Sequence, residues 1–355
     1  MLHSPPGRMA ILRALKLGDM LCAVPALRAI RSAFPAAEVV LVGLPWASEF
    51  VARYPAYLDG FREFPGYPGL PEREPDLARL PGFLGEMRAE RFDLAIQMHG
   101  SGRISNAVVA EFGARITAGF YEPGIMCPDP ATFLPFPERG LELRRLLQLT
   151  AHLGIPPDGE ALEFPLSEAE RSGAAALAHS IGIGSRDFVC IHGGASVPER
   201  RWPVDRFAEV ADAMAGRGLE VVLTGSGAEV GITGAIARAM RAPAIDLAGR
   251  TPLGTLAAIL ERARLLVCND TGVSHLADAL GLPSVVISTG DNPDRWAPAD
   301  RIRHRVLCRN SGVPAAEVLR EALDLLSEPR RPASSPGRPL ASEVRDVGRY
   351  AGSLL

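Results

Sequence analysis

The chain has 355 residues, of which 47% are hydrophobic and 22% charged, with 38 Lys and Arg against 41 Asp and Glu and a net charge of −3. That length suggests about two domains, each large enough to bury a core, and the near-neutral balance excludes a polybasic nucleic-acid footprint. Five scattered cysteines, Cys22, Cys127, Cys190, Cys268 and Cys308, form no CxxC pair and lie largely in apolar runs; they read as reduced core thiols of a cytoplasmic protein, not as disulfides or metal ligands.

Residues 1–8 are polar and proline-rich, with only a short apolar piece after them, and read as neither a signal peptide nor a membrane span. Residues 9–15 form an apolar run expected to be a strand, Lys16-Leu17-Gly18-Asp19 a turn, and the stretch up to Ala33 a helix. Further strands are expected at 38–43 and 92–98, and helices near 104–112 and 141–153. Dense prolines and glycines at 55–81 predict an irregular loop region that borders a cleft.

A second series follows the turn-forming run at 154–159. It predicts strands at 188–192, 220–224, 265–268 and 284–288, and helices at 204–215, 228–240, 253–263 and 273–280. Alternation of strand and helix implies parallel sheets, so the chain reads as two doubly wound, Rossmann-like α/β domains, residues 1–160 and 161–327. Such sheets bind ligands beyond the carboxyl ends of their strands. Residues 328–355, rich in Pro, Ser and Arg, read as a flexible or surface-draped tail.

The chemistry gathers where strands hand over to helices. Asn269-Asp270-Thr271-Gly272-Val273-Ser274-His275 follows the run at 265–268 and opens a helix. First-turn N–H groups lack intrahelical partners and the helix dipole adds positive charge there, so the turn suits an anion such as a diphosphate; the alternative is that Asp270 or Thr271 only caps the helix. His192-Gly193-Gly194-Ala195-Ser196 ends another strand in small residues, and Arg200-Arg201-Trp202-Pro203 leads into the next helix. The two arginines either offset charge on a departing phosphate or form an exposed pair, and Trp202 reads as packing. Thr224 to Glu229 is a third such turn, in which Glu229 either accepts from a ribose diol or favours the helix dipole. Residues 246–251 close a short strand that would line a base pocket. Asp19 follows Gly18 and either faces the crevice as a base or caps its helix. No GxGxxG fingerprint follows the first strand, which weakens a dehydrogenase reading.

Taken in order from about residue 9 to about 296, Lys16 to Asp19 with Pro25-Ala26-Leu27, His192 to Ser196 with Arg200 to Pro203, the Thr224 to Glu229 turn, and Asp270 to His275 resemble glycosyltransferase family 9, the ADP-heptose:lipopolysaccharide heptosyltransferase family. The resemblance implies a GT-B architecture, with acceptor in the first domain and nucleotide sugar in the second, and an inverting transfer that needs no metal and no cofactor beyond the donor. It implies Asp19 as general base and Ser196, Arg200, Arg201, Thr224, Glu229, Asp270, Thr271, Gly272, Val273, Ser274 and His275 as donor-binding residues, with Lys16 and Gly18 on the acceptor side. The loops at 55–81 and 99–105 carry basic and aromatic residues, His99 among them, that either meet an anionic glycolipid on the acceptor side or are ordinary loops. The implied partners are a nucleotide-sugar donor and a glycolipid or lipopolysaccharide-core acceptor, with peripheral contact at the inner membrane and no nucleic acid.

The residues agree with those roles. No Asp-x-Asp pair occurs in the chain to hold a divalent ion on a diphosphate, so backbone N–H groups and Arg200 would carry that load. Arg200 departs from the family's usual lysine, a planar fork in place of a point charge, and His-Gly-Gly stands where Pro-Gly is common. Two other functions fit the same architecture: a nucleotide-sugar epimerase, separated by incubating donor without acceptor, and a binding protein without turnover, against which Asp19 argues.

Overall fold

The structure, a computed structural model, describes residues 4–183, 186–290, 292–309 and 312–328. Six parallel strands form the first sheet: β1 (Arg8–Leu12), β2 (Glu38–Gly43), β3 (Gly60–Glu63), β4 (Leu94–Gln97), β5 (Ile116–Tyr121) and β6 (Phe133–Pro135), in the order β3-β2-β1-β4-β5-β6. The second holds β7 (Phe188–His192), β8 (Glu220–Leu223), β9 (Ile245–Asp246), β10 (Leu265–Asn269), β11 (Ser284–Ser288) and β12 (His304–Cys308), in the order β12-β11-β10-β7-β8-β9. Counted from its own first strand, each sheet has the same order, with the switch of direction beside β1 in one and β7 in the other. Ala10 lies opposite Val40 and Ala95, and Val267 opposite Ile191 and Val285. These central strands are apolar nearly throughout because helices cover both of their faces.

The expected strands at 38–43, 188–192 and 284–288 and the helix at 204–215 have those bounds. Elsewhere the structure corrects the expectation. β1 stops at Leu12, and the next helix, Leu17–Ala33, already contains Gly18 and Asp19 in its first turn. A short 3-10 turn, Gly227–Glu229, precedes the helix Val230–Ala239. The proline-dense stretch at 55–81 contains β3, a half-exposed four-residue edge strand, whose weak alternation hides it among turn formers. The helix Glu168–Ser180 is a further addition to the expected elements, started by the Ser167–Glu170 capping box that stands in the sequence.

One apolar cluster is continuous from Ile11 and Ile96 in the first sheet, through Leu21, Val24 and Leu27, to Leu276, Cys268 and Val286 in the second. Two outer clusters close the far faces, one around Phe64, Phe83 and Phe112 and the other around Trp202, Phe207 and Val210. Cys22, Cys190 and Cys268 are core thiols as expected, whereas Cys127 is half-buried and Cys308 exposed; Cys308 ends a strand on the sheet's edge, where one face meets solvent. Among the described residues no helix is long and apolar enough to cross a membrane. The tail expected beyond Glu328 lies outside the described residues.

Candidate active site

Two helix N-termini, one from each sheet, meet at a pair of glycines. A Cβ on Gly18 would stand 2.8 Å from His275 Cδ2 and 3.2 Å from Gly272 Cα, and one on Gly272 would stand 3.3 Å from the Gly18 nitrogen. Only glycine permits so close an approach of backbone to backbone. The first turn of Leu17–Ala33 and that of the Gly272–Leu280 helix therefore face one another, and both turns carry the positive dipole ends of their helices.

Asp19 sits in this seam, half-buried, as the third residue of its helix. The N-cap is Lys16, in extended conformation, so Asp19 is not a capping aspartate, and among the described residues nothing donates a hydrogen bond to its carboxylate. A half-exposed carboxylate held at a helix N-terminus, with its oxygens uncommitted, is suited to accept a proton from an incoming hydroxyl. His275 lies across from it, 5% exposed, with Nδ1 3.6 Å from the Cys22 sulfur and its ring edge-on to Trp296 at 6.4 Å. Burial pulls the imidazole below its ordinary pKa, with Asp278 and Asp19 opposing, so His275 is neutral at pH 7. Burial, reinforced by Glu142, pushes the Cys22 thiol well up.

On the opposite turn, Thr271 is the N-cap, its side-chain oxygen 3.5 Å from the Val273 N–H and its carbonyl accepting from Ser274 N–H and Oγ. Capping thus belongs to Thr271, and Asp270 lies just outside the helix, 9% exposed, with its N–H on the Ile287 carbonyl. Val273 and Ser274 are buried in support of the turn.

The loop after β7 is built round Glu229. A Cβ on Gly194 would fall 1.9 Å from Glu229 Oε1, and one on Gly193 2.6 Å from Ile236 Cδ1; the two glycines admit a carboxylate on one side and a core helix on the other. The Ser226 N–H donates to Glu229 Oε2 at 2.7 Å. Burial alone would raise this carboxyl, but the Ser226 hydrogen bond, His192 and Arg201 outweigh it and hold it below the usual range. Burial pulls the His192 imidazole below its ordinary pKa, with Glu229 opposing, and its Nδ1 lies 3.1 Å from Thr224 Oγ1, whose hydroxyl donates to the Ile191 carbonyl. Thr224 is fully buried and supports the His192 ring. Arg201 donates to the Ala195 carbonyl at 3.0 Å and is the arginine beside Glu229. Arg200 ends a 3-10 turn with its stem along Gly290, and Ser196 is exposed on the same loop. Trp202 packs edge-on to Phe207, as expected, with Nε1 on the Val313 carbonyl.

Asn269, absent from the expected site residues, ties these turns together. Fully buried at the end of β10, its Oδ1 accepts the Trp202 N–H at 2.9 Å while Nδ2 donates to the Gly193 carbonyl at 2.9 Å and the Gly194 carbonyl at 3.3 Å. A single amide side chain ending an apolar run is the signal for it. Of the acceptor-side residues, Gly18 lies in the seam and Lys16 is exposed beside it. His99 is 4% exposed, with Nδ1 accepting the Ala14 N–H at 3.2 Å and Nε2 3.2 Å from Glu72. It fastens the 65–76 loop to the end of β1.

Two Rossmann-like sheets that oppose their helix N-termini across a shared seam define the GT-B architecture of glycosyltransferases. A model of glycosyltransferase family 9 (heptosyltransferase) matches residues 83–316. Lipopolysaccharide heptosyltransferase 2 of Salmonella typhimurium (strain LT2) is 26% identical over 300 residues, which span 79% of this chain and 82% of that protein. Two solved structures share the fold. A family 9 glycosyl transferase from Veillonella parvula has a TM-score of 0.75 at 23% identity, covering 90% of this chain and 97% of that one. The Escherichia coli ADP-heptose lps heptosyltransferase II has a TM-score of 0.70 at 20% identity, covering 90% and 98%. The chain belongs to glycosyltransferase family 9 and is a glycosyltransferase. The matched stretch begins beyond Asp19, so that residue's role rests on the geometry of the seam.

Proposed function

We propose that the protein is an inverting, metal-independent heptosyltransferase that moves heptose from ADP-heptose onto a hydroxyl of a lipopolysaccharide-type or other surface-glycan acceptor. The observation that carries this reading is the abutment of Gly18 and Gly272, which sets an uncommitted carboxylate opposite an anion-receptive helix N-terminus. The names of its relatives, one a lipopolysaccharide heptosyltransferase and one acting with ADP-heptose, support the substrates.

In this reading the acceptor oxygen attacks the anomeric carbon as Asp19 takes its proton. The new carbon–oxygen bond forms on the face opposite the bond to ADP, which breaks with its electron pair passing to the diphosphate. One displacement inverts the centre. The 271–275 turn and Arg200 and Arg201 offset the charge that grows on the leaving group, Asp270 contacts the sugar, and Glu229 accepts from the ribose hydroxyls. Negative charge is met by backbone N–H groups and guanidinium, and the donor is the only small molecule required besides the acceptor. The protein acts at the cytoplasmic side of the inner membrane, touching it peripherally through its acceptor.

The test is to incubate the purified protein with ADP-heptose and lipopolysaccharide inner core, with and without EDTA. ADP release matched by a heptose mass gain on the acceptor, insensitive to EDTA, is expected. Epimerised donor without acceptor modification would instead make the protein an epimerase.

A further inference from the structure

Four charged side chains meet inside the seam, and one of them reaches across it. Arg13, one residue beyond β1 and 1% exposed, is the single charge in the apolar run at 9–15. Its Nε and Nη2 both donate to the backbone carbonyl of Asp19, at 3.0 and 2.7 Å, and its Nη1 donates to the Met98 carbonyl. Nη2 also lies 3.2 Å from Oε1 of Glu142, the first residue of the helix Glu142–His152. Glu142 Oε2 in turn takes Arg295 Nε at 3.0 Å, with Arg145 Nη1 at 3.7 Å. Arg295 belongs to the other half of the molecule, on the short helix Pro293–Trp296 that follows β11, and its guanidinium lies 4.5 Å from the Trp296 ring centroid and 5.6 Å from that of Phe136.

A buried ion pair is weak evidence for stability, because apolar residues of similar volume hold a seam as well. The geometry is more informative. A guanidinium is a rigid planar fork, and here two of its donors converge on the carbonyl of the very residue whose side chain faces the donor turn. Burial would raise the Glu142 carboxyl, but Arg13 and Arg295 outweigh it and keep it ionised. A carboxylate held from both sides cannot rotate, and so holds the Arg13 fork in place. Without Arg295, Glu142 is left to Arg13 and Arg145, and it can draw the fork off the Asp19 carbonyl.

We propose that Arg13 is a positioning residue for Asp19 and that Arg295, acting through Glu142, makes this positioning depend on contact between the two halves. The base is then aligned only when the half that carries the donor turn is seated against it. This inference rests on the reading of Asp19 as the base.

The test compares wild type with Arg295→Gln, Arg295→Lys, Glu142→Gln, the Arg295→Gln/Glu142→Gln double variant, Asp19→Asn, and Arg305→Gln, which pairs with Asp324 on the far edge of the second sheet. Arg295 is 28% exposed, so its replacement leaves the core intact. Hydrogen exchange without substrate reads the helix itself. Arg295→Gln is expected to speed exchange of the amides at 20–23 about tenfold, Arg305→Gln not at all, and Arg295→Lys less than Gln. With ADP-heptose and inner-core acceptor, Arg295→Gln should lower kcat by ~10- to 100-fold, the loss typical of a misaligned group, while KM for donor and ADP affinity by calorimetry stay within about twofold. The double variant should be no slower than Glu142→Gln alone.

Unchanged exchange at 20–23 in Arg295→Gln would overturn the proposal, as would a loss confined to ADP affinity or additive losses in the double variant. Failure of the base reading looks different: Asp19→Asn would keep its turnover, whatever the exchange shows.

Discussion

Gly18→Ala puts one methyl group into the contact between the halves. The new Cβ would stand 2.8 Å from His275 Cδ2, about 0.7 Å inside the ordinary carbon–carbon contact of roughly 3.5 Å. Its second neighbour, Gly272 Cα at 3.2 Å, is backbone and cannot rotate away. The strain must therefore open the seam or displace the His275 ring, which is already boxed in by Cys22 and Trp296. Overpacking of this kind costs about 1–3 kcal/mol, partly offset by the ~1 kcal/mol that alanine gains over glycine in a helix. Net destabilisation is expected to be only about 0–2 kcal/mol by urea titration. Turnover should suffer far more, because a displacement near 1 Å between reacting groups costs on the order of 100-fold. Steady-state kinetics would show this in kcat, with ADP affinity by calorimetry close to wild type. Wild-type kcat in a folded Gly18→Ala protein would refute the reasoning, since the two turns would not then need this juxtaposition during catalysis.

Asn269→Ala leaves the Trp202 N–H and Gly193 carbonyl buried without their partner; a loss of about 2–4 kcal/mol is expected by urea titration, together with weaker ADP binding as the β7 loop loosens. Gly194→Ala collides with the Glu229 carboxylate and should weaken ADP binding at least tenfold by calorimetry, with little change in melting temperature. The Arg53 hydrogen bonds to Glu170, helped by Ser167 and opposed by burial, lower the Glu170 carboxyl to about 2. Because the folded value lies below the unfolded one, this pair's contribution, at most about 3 kcal/mol, is fully present above pH ~4.5 and is lost as pH falls towards 2. Urea titrations at several pH values should show that slope in wild type and a flatter one in Glu170→Gln.

What could be read from the chain follows burial. β1, β2, β4, β7, β8, β10 and β11 lie inside their sheets and are continuous apolar runs, so their existence is plain in the sequence. β3 and β12 lie at edges where one side faces solvent, and their residues alternate too weakly to stand out from the loops around them. β5 is interrupted by Gly119, where a Cβ would stand 2.8 Å from Gln97. The site divides in the same way. Asp19, Glu229 and the 269–275 turn are local patterns at strand ends, where parallel α/β sheets place their ligands. Asn269 belongs to that turn, but its buried hydrogen bonds to residues 193, 194 and 202 have no local signature. The Arg13, Glu142 and Arg295 contact is less legible still: the three residues are far apart in the chain and only the packing of two sheets brings them together. Arg13, a charge inside an apolar strand pattern, is the one part of it that the sequence marks.

In the proposed transfer Asp19 is the base and the donor rests on the facing turn. Asp19→Asn tests this most directly, because the amide keeps the size and position of the carboxylate but cannot take the proton. With ADP-heptose and inner-core acceptor, ADP release should fall at least ~1,000-fold while ADP affinity by calorimetry stays within about twofold of wild type. Turnover within a few-fold of wild type, with binding unchanged, would contradict the account.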